Sequence, residues 1–417
     1  MRKNRFLLIF IAATVLISFA AMNASAEKVL KVGLMGPFTG PAAQSGASIK
    51  NSLLMKLEEA GSKVGDYKLE FIFIDSQSDP AKATNAYVEA IERKGMQVGI
   101  GGWHSSVAMA VVDQAVKYKV PHFGSMGAAK TITDKIRGDA KSKGYWFKFW
   151  SYPALSAKLY FDFINWATEK TKWDPKEKIV GVSAEETDWG RDWIVAAKQN
   201  IKDYGWTIAE EDYMQIGQTD FYPLLTKYKN ESIPLVTITN TAAASVSAFI
   251  KQAREVGLKS LLIVDGLGWV GEWYELTGRS SNGIVDMNVK WGPRSEAYHK
   301  KFEEKYNFKP AASAGGISYD MAGMFLKLLE RTLEKEGKLD SESIHKVMVD
   351  EMVAGKLTYG VDDGAIMMKE YKFTPDLYPD PVTDQNHWFM PVIQYKDGKA
   401  YTIFPLAEKE MDFMVPK

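Results

Sequence analysis

Short apolar runs alternate along the chain with longer stretches in which apolar positions recur every three or four residues. Val29 to Met35 reads as a first strand, closed by the loop Gly36-Pro37-Phe38-Thr39-Gly40-Pro41. From Gln44 to Ala60 the positions Ala47, Leu53, Leu54 and Leu57 share a helical face, and Gly61 stands where a helix stops. Leu69 to Asp75 is the next strand, followed by Ser76-Gln77-Ser78-Asp79 and by Pro80, which suits the first turn of a helix running to Lys94. Val98 to Gly101 leads into Gly102-Trp103-His104-Ser105-Ser106, and Val120 to Phe123 into Gly124-Ser125-Met126-Gly127-Ala128. Strand, loop and helix repeat every 30 residues or so, which is the spacing of a parallel, doubly wound sheet.

The pattern starts afresh after the aromatic stretch Tyr145 to Pro153, which includes Trp150. Strands are predicted at Lys178 to Ser183, Trp206 to Tyr213, Pro234 to Thr239 and Leu261 to Asp265, with helices at Trp189 to Tyr204 and Ala242 to Val256 between them. Two such blocks predict two lobes with a cleft. In open α/β sheets small molecules bind beyond the carboxyl ends of strands, where helix N-termini leave amides unpaired. The stretch Gly101 to Val107 sits at one such end. Its glycines admit a close backbone, Trp103 offers an apolar wall, and Ser105 or Ser106 either caps the helix or donates to an anion. Trp103, Trp150, Tyr152, Trp189 and Trp269 all fall at strand ends or at the block junction, which predicts an aromatic-walled site. Near the C-terminus, two β-type runs flank Lys396-Asp397-Gly398 and predict a hairpin that extends the second lobe.

At 417 residues the chain is long enough for two domains. Lys plus Arg and Asp plus Glu are each 52, so no basic field points to nucleic acid or anionic lipid. The N-terminus places three basic residues before an apolar run and Ala24-Ser25-Ala26, a secretory signal peptide with cleavage expected after Ala26. Without those three, 49 basic side chains face 52 acidic ones, a slightly acidic mature chain. The absence of cysteine excludes disulfides, thiol nucleophiles, cysteine zinc sites and a lipid-bearing cysteine at the cleavage point. These features predict a free protein in a periplasm.

The five histidines, His104, His122, His299, His345 and His387, show no metal-binding spacing, and no cofactor is expected. The G-x-S-x-G and P-loop signatures are missing. Adjacent carboxylates such as Glu185-Glu186 and Asp362-Asp363 read more simply as solvated loop residues than as an acid–base pair.

The order of loops, GPFTGPAAQSG, IDSQSDPAKA, GGWHSS and GSMGAA, with DWGRDW, FIKQAREVGL and GRSSNGIV later, resembles the type I periplasmic binding proteins. More narrowly it is similar to the leucine/isoleucine/valine-binding branch that serves branched-chain amino acid ABC importers. The resemblance covers residues 28–362. It implies two Rossmann-like lobes joined by three hinge crossings, near Lys148 to Tyr152, Met287 to Trp291 and Leu357 to Gly360. The first lobe would comprise 27–149 and 290–358, the second 150–289 and 359–417 with the hairpin extension. It also implies a ligand site built from Trp103, His104, Ser105, Ser106, Met126, Gly127, Ala128, Trp150, Trp189, Asn240 and Asp265, with Ser105 on the ligand's carboxylate. Three positions depart from the amino-acid binders: Ala128 replaces a threonine, Ala242 a ring, and Leu267 stands at or beside the acid that pairs with an ammonium. The expected ligand is a small carboxylate-bearing solute, either branched-chain amino acid-like or an aromatic or apolar acid or amide; the tryptophans favour a flat or apolar one, and an α-amino acid fits only if Asp265 or Glu185 supplies the charge. The expected role is a monomeric solute receptor for a membrane permease. The alternatives are a sensor module and an exported enzyme using His104 with an acid such as Asp265.

Overall fold

The computed structural model describes residues 27–416. The leader and its cleavage point lie outside the described residues. Strands β1 (Lys28–Gly36), β2 (Lys63–Val64), β3 (Tyr67–Asp75), β4 (Val98–Gly101), β5 (His122–Ser125) and β6 (Trp146–Lys148) form one sheet in the order β2-β3-β1-β4-β5-β6. All its pairings are parallel except that of the short edge strand β2. Strands β7 (Ile179–Glu185), β8 (Thr207–Met214), β9 (Leu235–Thr239), β10 (Leu261–Asp265) and β11 (Val285–Met287) form a second, parallel in the order β8-β7-β9-β10-β11. The two sheets thus repeat one plan. β4, β5, β9 and β10 are buried at every residue, which is why their sequences are continuous rather than alternating.

The connecting helices are α1 (Ala43–Glu59), α2 (Pro80–Glu92), α3 (Ser105–Tyr118) and α4 (Lys130–Gly138) in the first lobe, and α5 (Pro153–Lys170), α6 (Asp188–Ile201), α7 (Tyr222–Asn230) and α8 (Ala243–Glu255) in the second. Starts follow local chemistry: the Asp79 carboxylate accepts from Ala81 and Lys82 N–H at 2.8 and 2.9 Å, and Thr187 Oγ1 from Gly190 N–H at 3.1 Å. α9 (Trp273–Thr277) also belongs to the second lobe, whereas α10 (Glu296–Tyr306) and α11 (Ser318–Glu336) pack on α1, and α12 (Ser341–Val347) on α11. The chain therefore passes to the second lobe after β6 and back after β11.

The third passage is not where the sequence placed it. β12 (Tyr359–Gly360) pairs with β13 (Glu370–Tyr371) beside α11, and the Asp320 carboxylate of α11 accepts N–H bonds from Ile366 and Met367 at 2.8 and 2.9 Å. Tyr378 Oη accepts from Gly144 N–H at 2.8 Å, and Asp380 pairs with Lys148 at 2.6 Å. The chain thus stays with the first lobe through Asp380, and the expected return near Leu357 to Gly360 moves to the stretch before Val392. A buried carboxylate holding loop amides leaves no strand signal to read. Beyond that stretch, β14 (Val392–Lys396) pairs antiparallel with β11, and β15 (Lys399–Phe404) with β14. Their turn, Asp397-Gly398, has positive φ at both residues, as a two-residue hairpin requires.

A tryptophan-walled cavity between the lobes as candidate functional site

Both sheets reverse strand order at their first strand: β1 lies between β3 and β4, and β7 between β8 and β9. A crevice opens at such a switch point. In the first lobe it is bordered by the residues after β4, in the second by those after β7 and β9, and the two face each other.

On the first lobe, Gly101 and Gly102 have φ of +92° and +123°, and a Cβ on them would stand 2.5 Å from Met35 O and 2.7 Å from Ser125 Oγ. Only glycine fits both. Beneath them His122 Nε2 donates to Gly101 O at 2.7 Å, with the imidazole stacked on Trp146. His104 is the N-cap of α3 but makes no capping bond with its side chain. Ser105 is not a cap either: its Oγ accepts the N–H groups of Ala128 and Ala129, each at 3.1 Å. With both acceptor sites filled, its O–H is left to donate.

On the second lobe, Trp189 Nε1–H donates to Thr239 Oγ1 at 2.8 Å, and the Thr239 hydroxyl donates to Asp265 Oδ2 at 3.0 Å. Glu185, at the end of β7, accepts Thr241 N–H at 2.8 Å and Thr241 O–H at 2.6 Å. Thr241 Oγ1 lies 3.0 Å from His104 Nε2 of the other lobe. Trp269 comes from a 3₁₀ turn, Leu267–Trp269, that follows Gly266. Its ring stands edge-on to Trp103, Trp150 and Trp189 at centroid distances of 5.6, 6.2 and 6.2 Å.

These groups border a small cavity lined by Trp103, His104, Ser105, Met126, Trp150, Trp189, Thr241 and Trp269. No charged side chain is among them. The indole N–H of Trp103, that of Trp269, and His104 Nδ1 are buried without a partner. Burial lowers His104 to about 4, so its ring is neutral at pH 7, and raises Glu185 to about 7 against the opposing Thr241 bonds. Asp265 is pushed well above the carboxylate range by burial and by the Asp286 charge. Other contacts cross the cleft: Ser106 Oγ accepts Asp188 N–H at 3.1 Å, the Asp192 carboxylate accepts Lys130 N–H, and Gln44 donates to Glu272 at 3.2 Å. The lobes are closed on one another.

Of the residues singled out in the sequence, Trp103, His104, Ser105, Met126, Trp150 and Trp189 border the cavity. Five do not. Ser106 bonds across the lobes instead, and the amides of Gly127 and Ala128 are already taken, by Ser125 Oγ at 3.1 Å and by Ser105. Asn240 is fully buried, its Oδ1 accepting Ala242 N–H at 3.1 Å. Asp265 lies behind Trp189 and holds Thr239. Thr241 and Trp269 join the lining: a lone threonine at a strand end carries no sequence pattern, and Trp269 stands out in the sequence only as one of the strand-end rings. Nor does a catalytic triad form: the acid orients the hydroxyl rather than the histidine, the reverse of what a nucleophile activated by a base needs.

Two lobes joined by three passages of the chain meet around a cavity walled largely by indoles. This is the design of a two-lobed solute-binding protein. The chain belongs to the periplasmic binding protein family, whose model matches residues 29–368. Its relatives include the Leu/Ile/Val-binding protein homolog 6 of Brucella abortus (strain 2308), 27% identical over 252 residues, 60% of this chain and 61% of that one. The leucine-, isoleucine-, valine-, threonine- and alanine-binding protein of Pseudomonas aeruginosa is 24% identical over 81% of this chain and 86% of its own. The match thus spans about three fifths of the Brucella relative. In structure the chain is similar to an ABC-transporter solute-binding protein of R. palustris in complex with benzoate, with a TM-score of 0.73 at 19% identity over 89% of this chain and 94% of the other. It is also similar to a leucine-binding protein of Thermotoga maritima, with a TM-score of 0.66 at 18% identity over 89% and 97%. Among the described residues no helix is long and apolar enough to cross a membrane.

Proposed function

We propose that this protein captures a small aromatic carboxylate outside the cytoplasm and delivers it, unaltered, to the permease of an ABC importer. The observation that carries the proposal is the lining of the cavity: four indoles and no charged side chain. An α-amino acid would bury its ammonium without a countercharge, since Glu185 is engaged by Thr241 and Asp265 by Thr239, at a cost of several kcal/mol. An aromatic acid places its ring against indoles and its carboxylate among donors: Ser105 O–H, two indole N–H groups and the first-turn amides of α3. The benzoate and 3,4-dihydroxybenzoic acid held by two structurally similar R. palustris proteins are ligands of this chemistry.

In this reading the mature chain starts after Ala26, is not lipidated, acts as a monomer in the periplasm, and presents its closed form to the permease. Isothermal titration with benzoate, 4-hydroxybenzoate, benzamide and leucine tests it. Saturable binding of the aromatic acids, recovered unchanged, and no binding of leucine is expected. Leucine binding without benzoate binding overturns it.

A further inference from the structure

We propose that Glu185 sets, through Thr241 and His104, whether the cavity presents a hydrogen-bond donor or an acceptor at His104 Nδ1, so that an anionic ligand is captured together with one proton. The inference rests on the aromatic-acid reading above. Its basis is a chain of three buried groups drawn from both lobes: Glu185 Oε2 to Thr241 Oγ1 at 2.6 Å, and Thr241 Oγ1 to His104 Nε2 at 3.0 Å. The chain ends at His104 Nδ1, which has no partner, on a residue that borders the cavity.

A threonine hydroxyl carries one hydrogen, so the chain has two arrangements. With Glu185 ionised, Thr241 O–H donates to the carboxylate and its oxygen accepts His104 Nε2–H. Nδ1 is then a bare lone pair that repels a ligand carboxylate. With Glu185 protonated, the carboxyl O–H donates to Thr241, Thr241 donates to Nε2, and the neutral ring carries its hydrogen on Nδ1, where it donates to the ligand's oxygen. Only O–H and N–H bonds change: one proton comes from solvent as the ligand binds and returns when it leaves. The second arrangement also avoids two carboxylates facing each other in a buried, largely apolar site.

Burial places Glu185 at about 7 and keeps the His104 ring neutral, so the proton at issue is exchanged near neutral pH. On the elements packed around Glu185, Arg191 of α6 is paired with Glu186, and Asp212 of β8 accepts from Tyr228. Asp265 of β10 is held by Thr239, and Asp188 starts α6. Among the described residues, His104 is the titratable side chain linked to Glu185 through Thr241. Ligand binding raises the Glu185 pKa further. Affinity for an anion is therefore full below its free value and falls as pH rises through the window up to its bound value.

The test is calorimetry on the mature chain and on Glu185→Gln, with benzoate and with its neutral isostere benzamide, from pH 5.5 to 8.5 in two buffers of different ionisation enthalpy. In the wild type, benzoate binding is expected to weaken by up to tenfold per pH unit above about 7 with a buffer-dependent heat for one proton, while benzamide binding stays flat. Glu185→Gln should hold benzoate affinity level, because the amide N–H donates to Thr241 permanently; its benzamide binding reports an intact fold. A flat benzoate profile in the wild type, or a slope kept in Glu185→Gln, overturns the relay and leaves the aromatic-acid reading standing. Failure of both probes at every pH overturns that reading and the relay with it.

Discussion

Ser105 does two jobs with one oxygen. It accepts two amides of the loop after β5, which fixes that loop against α3, and its hydrogen is left for a ligand. Ser105→Ala removes the donor and orphans two buried N–H groups, so benzoate affinity should fall by about 1–3 kcal/mol, together with a loss of thermal stability. A loss of stability with unchanged affinity would make the residue purely structural. Asp265 is the reverse case, a residue that matters through its neighbour. When folded it holds a proton that the unfolded chain gives up at ordinary carboxylate pH, so its contribution is full at low pH and is lost as pH climbs through the folded value. Asp265→Asn keeps an acceptor for Thr239 and removes that slope. Urea unfolding at pH 5.5 and 8 should show the variant gaining on the wild type by up to roughly 1.4 kcal/mol per pH unit. The two roles were unequally legible in sequence. Ser105 was marked by its place at a strand-to-helix junction, whereas the distance from Asp265 to the cavity depends on Trp189 and Thr239 standing in between.

Among elements, the βα units were readable almost throughout, because buried parallel strands are continuous apolar runs and their helices carry Asp79, Thr187 and Gly61 as boundary marks. The turn carrying Trp269 was not. It depends on Gly266, whose φ is +144° and whose missing Cβ leaves room for Asn240 O, and no spacing rule announces such a turn. Gly266→Ala should displace the Leu267–Trp269 turn and remove the ring that touches the other three tryptophans. Benzoate affinity is then expected to fall more than tenfold, with a shift in tryptophan emission and a destabilisation of about 1–3 kcal/mol. An unshifted emission spectrum with normal binding would mean that the turn tolerates the strain. The segment from Tyr359 to Asp380 is hard to place for a related reason: beside the main-chain bond from Lys148 N–H to Pro379 O at 3.0 Å, its ties to the first lobe include side-chain bonds from Asp320 and Lys148, which leave no periodic trace in its own sequence.

At the scale of the molecule, the closed form depends on chain segments that cross between lobes while staying aligned. Lys148, at the end of β6 where the first crossing begins, is fully buried, and its ammonium lies 2.6 Å from the Asp380 carboxylate near the start of the third. Thr133 Oγ1 of α4 at 2.8 Å and Ala129 O at 3.3 Å complete its shell, and α4 begins beside the Asp192 contact across the cleft. Burial lowers the Lys148 pKa and Asp380 opposes that shift, so the charge persists only because the pair does. Two crossings are thereby pinned to each other and to the loop that Ser105 holds. Asp380→Ala leaves a buried ammonium with neutral partners and should cost about 3–5 kcal/mol in unfolding free energy. Replacing the pair together, Lys148→Met with Asp380→Leu, should return most of that stability, since an apolar pair needs no countercharge. Stability and hinge alignment then separate. If the ion pair aligns the crossings, the double variant is as stable as the wild type in urea yet shows a smaller benzoate-induced drop in radius of gyration by X-ray scattering. If it contracts fully, the pair serves stability alone and the remaining crossing contacts set the hinge.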